Sequence, residues 1–248
     1  MRERTCKLIL EYDGTDFSGW QIQPGKRTVQ RVVEDALEKI LQYPIRVIAA
    51  GRTDAGVHAS GQVISFKTTS EFEIKRLKKS LNAVLPRDVT VIDAAETHPE
   101  FNARFDALSR TYHYSISNRR LSIGRSYAWY VKYKLSRELL IETTRPLNGT
   151  CCLEGFSKKN ENNDYSTIIY KNSWTFRENL MIFEISAVRF FQHAVRSIVG
   201  SAVEVARGKE SPDLLQRILD EKDRTLAGPL APARGLSLVS VDYGEKKT

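Results

Sequence analysis

Alternating and helical hydrophobic patterns divide the first hundred residues into regular elements. Every second residue from Cys6 to Tyr12 is apolar or aromatic, which predicts a strand with one buried face. From Thr28 to Leu41 the apolar residues recur three and four positions apart, which predicts a one-faced helix that ends at Tyr43-Pro44. The following apolar run, 46–50, indicates a short strand that leads into a polar loop.

The same patterns predict the elements that complete this half of the chain. Ser70-Glu71-Phe72-Glu73 fits a capping box, in which Ser70 would accept a hydrogen bond from the Glu73 amide at the start of a helix. Further predicted elements are a strand at Gln62–Phe66, the helix from Ile74 to Leu85 and a strand at Val89–Ala95. The resulting order of strand, helix, strand, strand, helix, strand is typical of a ferredoxin-like unit with its helices on one face of the sheet.

The second half also mixes strands and helices, so we expect an α+β protein of two related units, 1–100 and 101–248, that share a largely antiparallel sheet. A helix near His193 should carry Arg196 at the edge of its apolar face, and residues 151–167 are polar enough to predict an exposed, mobile loop. The other predicted elements are strands at Arg110–Ile116, Tyr127–Tyr133, Ile168–Phe176, Leu180–Val188 and Gly235–Tyr243, a weak helix over Leu135–Leu147 and a short helix opened by Ser211-Pro212.

Composition narrows the class of protein. The 248 residues carry a formal net charge of +8, which favours a polyanionic partner such as a nucleic acid, although many proteins are merely basic. There is no apolar run long enough to cross a membrane and no signal-peptide core, so we expect a cytoplasmic protein. Three cysteines, two of them adjacent, predict reduced thiols.

The residues with the strongest chemical signal lie in the glycine-rich stretch 49–63. It holds Arg52, Asp54 and His58 within seven positions, directly after the predicted short strand. A nearby guanidinium favours an ionised carboxylate, so Asp54 would suit a nucleophile or a base; the alternative is an Arg–Asp pair that only fixes the loop. The loop 13–21 carries Trp20, which either folds back onto the core or contacts a substrate.

Several common chemistries lack their sequence signatures. The four histidines are far apart and no Cys-x-x-Cys or His-Glu-x-x-His occurs, so no metal is expected. Phosphate-binding, dinucleotide-binding and serine-hydrolase motifs are missing too. Thr53-Asp54-Ala55-Gly56 is faintly similar to an aspartic-protease loop, but that mechanism needs two carboxylates that share a proton.

The loop closely resembles the active-site motif of the tRNA pseudouridine synthase A family. Five other segments resemble that family's motifs, and the six together extend over most of the chain: 12–21, 51–59, 103–105, 110–114, 191–196 and 231–238. The resemblance implies the pseudouridine synthase fold. It also implies an isomerase that converts uridine to pseudouridine at nucleotides 38, 39 and 40 of the tRNA anticodon stem-loop, without a cofactor and as a homodimer.

The resemblance also assigns roles to single residues. Asp54 would be the catalytic carboxylate, Arg196 its partner, Arg52 a loop residue that helps to extrude the nucleotide, and Tyr112 the aromatic stacked on the target base. The other interpretation of Tyr112, a core aromatic, fits Tyr114 better. The sequence does not decide whether Asp54 attacks C1′, adds to C6 or removes a sugar proton.

This chain departs from the family pattern at two places, Asn102 and Cys151-Cys152-Leu153, which puts RNA contacts of the mid-chain loop in doubt. Two alternative functions stay open: a non-catalytic RNA-binding protein or tRNA chaperone with the same fold, and the same isomerase acting on other RNA uridines.

Overall fold

A computed structural model describes residues 3–159 and 164–244, and these contain ten strands and five α-helices. The strands are β1 (Arg4–Tyr12), β2 (Ile48–Ala49), β3 (His58–Thr68), β4 (Val89–Thr97), β5 (Ser109–Ser117), β6 (Trp129–Tyr130), β7 (Gly149–Cys152), β8 (Ser166–Phe176), β9 (Leu180–Ala187) and β10 (Leu236–Asp242). The helices are α1 (Val29–Leu41), α2 (Ile74–Val84), α3 (Arg137–Thr144), α4 (Ala194–Ala206) and α5 (Leu214–Glu221).

The chain forms two compact units. The N-terminal unit comprises Met1–Arg110 with Leu238–Thr248, and the central unit comprises Thr111–Ser237. The division between these units falls within β5 and β10. The functional division predicted at 1–100 and 101–248 stays a prediction.

The N-terminal unit has the predicted ferredoxin-like order of elements. Its strands are arranged β4-β1-β3-β10, with β2 paired to β3. Central β1 is antiparallel to both neighbours, so that Leu8 lies opposite Ile64 on one side and Ala94 on the other. Helix α2 lies against β4 and contacts α1. The order strand, helix, strand, strand, helix, strand is therefore confirmed.

Hydrophobic patterning explains the first two elements. The side chains at every second position of β1, from Cys6 to Tyr12, are buried, while Ile9 between them is only half-buried. Helix α1 buries Val33 and Leu37 on its apolar face and ends at Gln42, whose φ of 66° is left-handed, before Tyr43-Pro44. Both predictions are confirmed.

The predicted helix starts are wrong in detail. Ser70 Oγ accepts a hydrogen bond from the Phe72 amide at 3.2 Å, and Glu73 is itself the residue before α2, so the capping box does not form. Ser211 likewise lies three residues before α5, where its carbonyl accepts the Leu214 amide in a turn and Asp213 precedes the helix. A tight turn leads into each helix, and it is stabilised by the side chain of Ser70 in the first case and by the backbone carbonyl of Ser211 in the second.

The central unit has the strand order β5-β9-β8-β7, and β6 pairs in parallel with β5. Strands β8 and β9 form the predicted hairpin, closed by the hydrogen bond from the Arg177 amide to the Leu180 carbonyl. Phe183 and Ile185 of β9 are fully buried, as are the inward side chains of α4. The predicted long strand over 127–133 is wrong, because only Trp129–Tyr130 pair with β5 and a 3₁₀ turn, Arg125–Tyr127, precedes them.

The prediction of an exposed loop over 151–167 is also wrong for most of its described residues. Leu153 and Phe156 are completely buried, Tyr165 nearly so, and 151–152 belong to β7. In the sequence these three apolar residues stand among polar residues, so the local pattern does not predict their burial. The part of the prediction that falls on 160–163 lies outside the described residues.

The α+β class with a large, mostly antiparallel sheet is confirmed. Cys6, Cys151 and Cys152 are free thiols, as predicted. Burial raises the pKa of Cys6 to about 11, which keeps this thiol protonated. Within 3–159 and 164–244, no helix is long and apolar enough to cross a membrane.

Gly200 allows helix α4 to pass close to the backbone near Pro229. A Cβ at position 200 would lie 1.8 Å from the Pro229 carbonyl oxygen. At an open helix position, replacing glycine by alanine stabilises by about 1 kcal/mol. We expect Gly200→Ala instead to lower the free energy of unfolding by about 1–3 kcal/mol, measured by urea denaturation.

The control is Ser80→Ala at a half-buried position of α2. This change should alter the free energy of unfolding by less than about 0.7 kcal/mol. A Gly200→Ala variant that is more stable than the parent protein would contradict the close contact.

Candidate active site

Asp54 lies in the short loop between β2 and β3, within the N-terminal unit. Its side chain is partly exposed and Arg52 is exposed, while Thr53 between them is buried. The Asp54 carbonyl accepts the Val57 amide at 3.1 Å, and Gly56 has a φ of 76°, so residues 54–57 form a tight turn. Asp54 therefore lies partly exposed at the start of a turn that buried Thr53 precedes and buried Val57 ends.

The loop 13–21 holds this turn from both sides. Upstream, the Trp20 amide donates to the Thr53 carbonyl at 3.0 Å; downstream, the Gly56 amide donates to the Phe17 carbonyl at 3.3 Å. Trp20 itself is 2% exposed and packs near Tyr12. Of the two interpretations of Trp20, the structure supports the one in which the ring folds back onto the core.

Two glycines make this contact between the loops possible. A Cβ at Gly14 would lie 2.0 Å from the Val57 carbonyl oxygen. Gly19 has a φ of 90°, and a Cβ there would lie 2.8 Å from the Thr53 carbonyl oxygen. Side chains at these positions would push the two loops apart, so both glycines are explained by close backbone approach.

His58 adds a side-chain bond to this contact. Its ring is buried, and Nδ1 accepts the Gly14 amide at 3.0 Å. Asp13 Oδ1 lies 3.1 Å from the same nitrogen. The Gly14 amide and the Asp13 carboxylate thus both lie within hydrogen-bond distance of Nδ1, and His58 links the start of β3 to the loop 13–21.

Tyr12 and Gln62 fix the start of the loop. The Tyr12 hydroxyl bonds the Thr53 hydroxyl at 2.8 Å, and the Gln62 amide donates to the Gly51 carbonyl at 2.7 Å. All three side chains are buried. These contacts immobilise the backbone on the N-terminal side of Asp54.

Arg110 is a structural residue that the sequence did not reveal. Its buried guanidinium donates to the Ala50 carbonyl through Nε at 3.0 Å and Nη2 at 2.8 Å, and also to the carbonyls of Arg104 and Ala107. It thereby ties the residue before the loop to the segment 104–107. A basic residue at the start of a strand gave no signal for this role, since its acceptors are backbone carbonyls.

Asn102, one of the two departures from the family pattern, stabilises that segment. Its side-chain oxygen accepts the amides of Arg104 and Phe105 at 2.9 and 3.2 Å. Asp106 in turn accepts the Asn102 amide. Asn102 is thus a turn-forming residue in this chain.

Tyr112 and Arg196 lie in the central unit. Tyr112 is on β5, 7% exposed, and its ring meets Phe190 edge to face at 5.3 Å between centroids. Tyr114, on the same face, is fully buried and donates its hydroxyl proton to the Pro232 carbonyl. Burial raises the pKa of Tyr114, so this hydroxyl stays protonated. Its core position is as predicted.

Arg196 is half-buried in the first turn of α4. Its Nε donates to the Ala231 carbonyl at 2.8 Å, and its own carbonyl accepts the Ala231 amide at 3.2 Å. His193, directly before the helix, has a φ of 73°, an unusual conformation for a residue with a side chain. The segment 231–235 therefore positions both Arg196 and Tyr114, which accounts for that part of the C-terminal motif.

Comparison with known proteins defines the class. The sequence profile described as tRNA pseudouridine synthase matches residues 8–106 and 144–244. The chain belongs to this family.

Its relatives make the assignment more specific. A protein of Exiguobacterium sp. is 41% identical over 241 residues, which cover 97% of this chain and 98% of the relative, and is named tRNA pseudouridine synthase A. A protein of Geobacillus sp. with the same name is 42% identical over 244 residues, with 97% and 98% coverage. The predicted family is confirmed, while the roles of Asp54, Arg52, Arg196 and Tyr112 stay predictions.

The Tyr12–Thr53 bond makes a prediction about alkaline stability. Burial raises the pKa of Tyr12 from its usual value of 10.0 to about 12, against smaller lowering effects of the hydrogen bonds to Thr53 and Gln62. A raised pKa in the folded state gives stability that is complete below pH 10 and is lost as the pH rises to about 12. Between pH 10 and 12, the free energy of unfolding of Tyr12→Phe should therefore fall by about 2–3 kcal/mol less than that of the parent protein, measured by denaturation at a series of pH values.

At neutral pH the same variant should lose only about 1 kcal/mol, the value of one hydrogen bond. Tyr170→Phe, at an exposed position of β8, is the control and should follow the parent curve. Identical slopes for Tyr12→Phe and the parent between pH 10 and 12 would refute the role of Tyr12.

Proposed function

We propose that this protein isomerises uridine to pseudouridine at nucleotides 38, 39 and 40 in the anticodon stem-loop of tRNA. The observation that carries the proposal is family membership over most of the chain, including the loop that displays Asp54. Conversion breaks the N1–C1′ bond, turns the uracil and joins C5 to C1′. The reaction balances without an external donor or an electron acceptor.

The proposal assigns Asp54 as the catalytic carboxylate, acting at C1′, at C6 or on a sugar proton. Its partial exposure is compatible with contact to a nucleotide. Arg52 is exposed beside it, as a residue that enters an RNA stem and displaces a base must be.

Arg196 is proposed as the charge partner of the carboxylate and Tyr112 as the aromatic on which the flipped uracil stacks. The backbone contacts of Arg196 with Ala231 support a positioned guanidinium, because they fix its stem before substrate arrives.

The same proposal includes the partner and the setting: tRNA bound mainly through its shape and phosphates, a homodimer, and the cytoplasm. The net charge of +8 supports binding to a polyanion. The alternative of a non-catalytic RNA-binding protein is disfavoured, because Asp54, Arg52, Tyr112 and Arg196 are all retained in this chain.

An activity assay tests the catalytic carboxylate. Unmodified tRNA tritiated at uracil C5 should release tritium with the parent protein, and pseudouridine should map to nucleotides 38, 39 and 40. Asp54→Asn should lower kcat by at least about 10²–10⁴-fold, because the side chain keeps its shape and loses its charge.

Asp93→Asn, at an exposed position of β4, is the matched control and should retain parent activity. No tritium release by the parent protein would refute the enzyme, and full release by Asp54→Asn would refute Asp54 as its catalyst.

A second assay tests stacking by Tyr112. Tyr112→Phe keeps the ring and should retain kcat/KM within a few fold, whereas Tyr112→Ala should lose about 5–150-fold, the value of one stacked base. Tyr170→Ala, an exposed tyrosine of the same unit, should behave like the parent protein. Equal losses for Tyr112→Phe and Tyr112→Ala would assign the role to the hydroxyl instead of the ring.

A further inference from the structure

The central unit contains a pocket that none of the roles above uses. Its volume is about 500 Å³, within the range of about 300–1,000 Å³ of small-molecule sites. It lies at the end of β5, beside the segment 119–128 and the turn between β8 and β9. The lining includes Ser115, Arg119, Leu121, Ile123, Tyr127 and Arg177.

Hydrogen bonds join the walls of this pocket. The Asn118 amide donates to the Asn179 carbonyl at 3.4 Å, and the Asn118 side chain donates to the Glu178 carbonyl at 3.3 Å. Further along the segment, the Val131 amide donates to the Ser117 carbonyl at 3.0 Å. The two turns that form the pocket are therefore fixed to each other and to β5.

The pocket is distinct from the surroundings of the Tyr112 ring. The face of β5 opposite Tyr112 carries Thr111, His113 and Ser115. On this face Thr111 bonds Ser186 and His113 bonds Glu184, both on β9. Ser115 also lies three residues further along the strand, a distance of about 10 Å. A base stacked on Tyr112 would not reach this pocket.

Its lining joins apolar and basic groups at the surface. Ile123 is 95% exposed and Tyr127 is 52% exposed, which is unusual for such large side chains at one site. Arg119 and Arg177 are exposed beside them. Apolar side chains, an aromatic ring and two guanidinium groups at one site fit a base with its neighbouring phosphates.

The charge of the surrounding chain favours RNA over a protein partner. No Asp or Glu occurs from residue 107 to residue 137, and the acidic residue at the pocket itself is Glu178. The exposed cations of this stretch are Arg119, Arg120, Arg125, Lys132, Lys134 and Arg137. Exposed tyrosines at 127, 130 and 133 alternate with them, which is the combination that single-stranded RNA requires.

We propose that this pocket binds a second, unstacked nucleotide of the tRNA substrate, with the base against Tyr127 and the adjoining phosphates on Arg119 and Arg177. The site would hold the tRNA and take no part in bond making. This inference rests on the proposed function, in which tRNA is the substrate, and it adds a binding site to the catalytic residues proposed above.

Charge-neutral variants of the full-length protein test the site. Arg119→Gln with Arg177→Gln should raise the Kd for unmodified tRNA about tenfold and lower the slope of log Kd against log salt by about 1–2. KM should rise in parallel, while kcat at saturating tRNA stays at the parent value. Tyr127→Ala should also weaken binding about tenfold, and Tyr127→Phe should bind like the parent protein.

The charge-matched control is Lys75→Gln with Lys79→Gln on α2, which should change Kd less than twofold. Equal weakening by this control would overturn the proposal in favour of a general effect of net charge. Unchanged Kd with an altered mass in sedimentation would also overturn it, in favour of a contact between copies of the chain.

Tritium release by the parent protein is measured in the same experiment. Binding that depends on the pocket in a protein that releases no tritium would support the site and reject the isomerase activity. Tritium release by the parent protein, together with an unchanged Kd in the pocket variants, would support the isomerase activity and reject the site.

Discussion

Backbone contact between the loop 13–21 and residues 53–57 is the constraint on which the candidate site depends. The space between Gly14 and the Val57 carbonyl leaves no room for a side chain, and the amides of Trp20 and Gly56 bond across the same contact. Asp54 lies between these two bonds. Its position is therefore set by main-chain geometry. A partly exposed side chain on a loop without these contacts would not be held in this way.

Uncharged groups supply most of this support. Around the loop the hydrogen-bonding partners include peptide groups, the hydroxyls of Tyr12 and Thr53 and the side-chain amide of Gln62, and Arg110 donates to carbonyls. These neutral groups hold the loop backbone in place through hydrogen bonds. Such an arrangement suits the proposed reaction, in which the protein positions the Asp54 carboxylate against an extruded nucleotide.

The sequence predicted the elements whose burial follows a simple period and failed where single anchors decide. Strand β1 and helix α1 bury one continuous face, so periodicity found them. Leu153 and Phe156 are isolated apolar residues in a polar stretch, and their burial depends on packing that no local pattern records. The capping box failed because Ser70 has a nearer amide, that of Phe72, to bond. Local chemistry allowed both partners, and only the path of the chain selected one.

For the candidate site, the sequence predicted candidate catalytic residues but not the contacts that hold them. The motifs 12–21 and 231–238 were recognised by resemblance, whereas their physical purpose appears only in three dimensions: Gly14 and Gly19 admit a neighbouring backbone, and Ala231 bonds Arg196 on both its side chain and its main chain. Arg110 shows the limit most clearly, because its acceptors include three carbonyls, one at Ala50 and two in the segment 104–107. Carbonyls are present at every residue, so sequence carries no signal for such a role. A motif of this family thus includes both the residues that we propose to react and the residues that make close contacts around them.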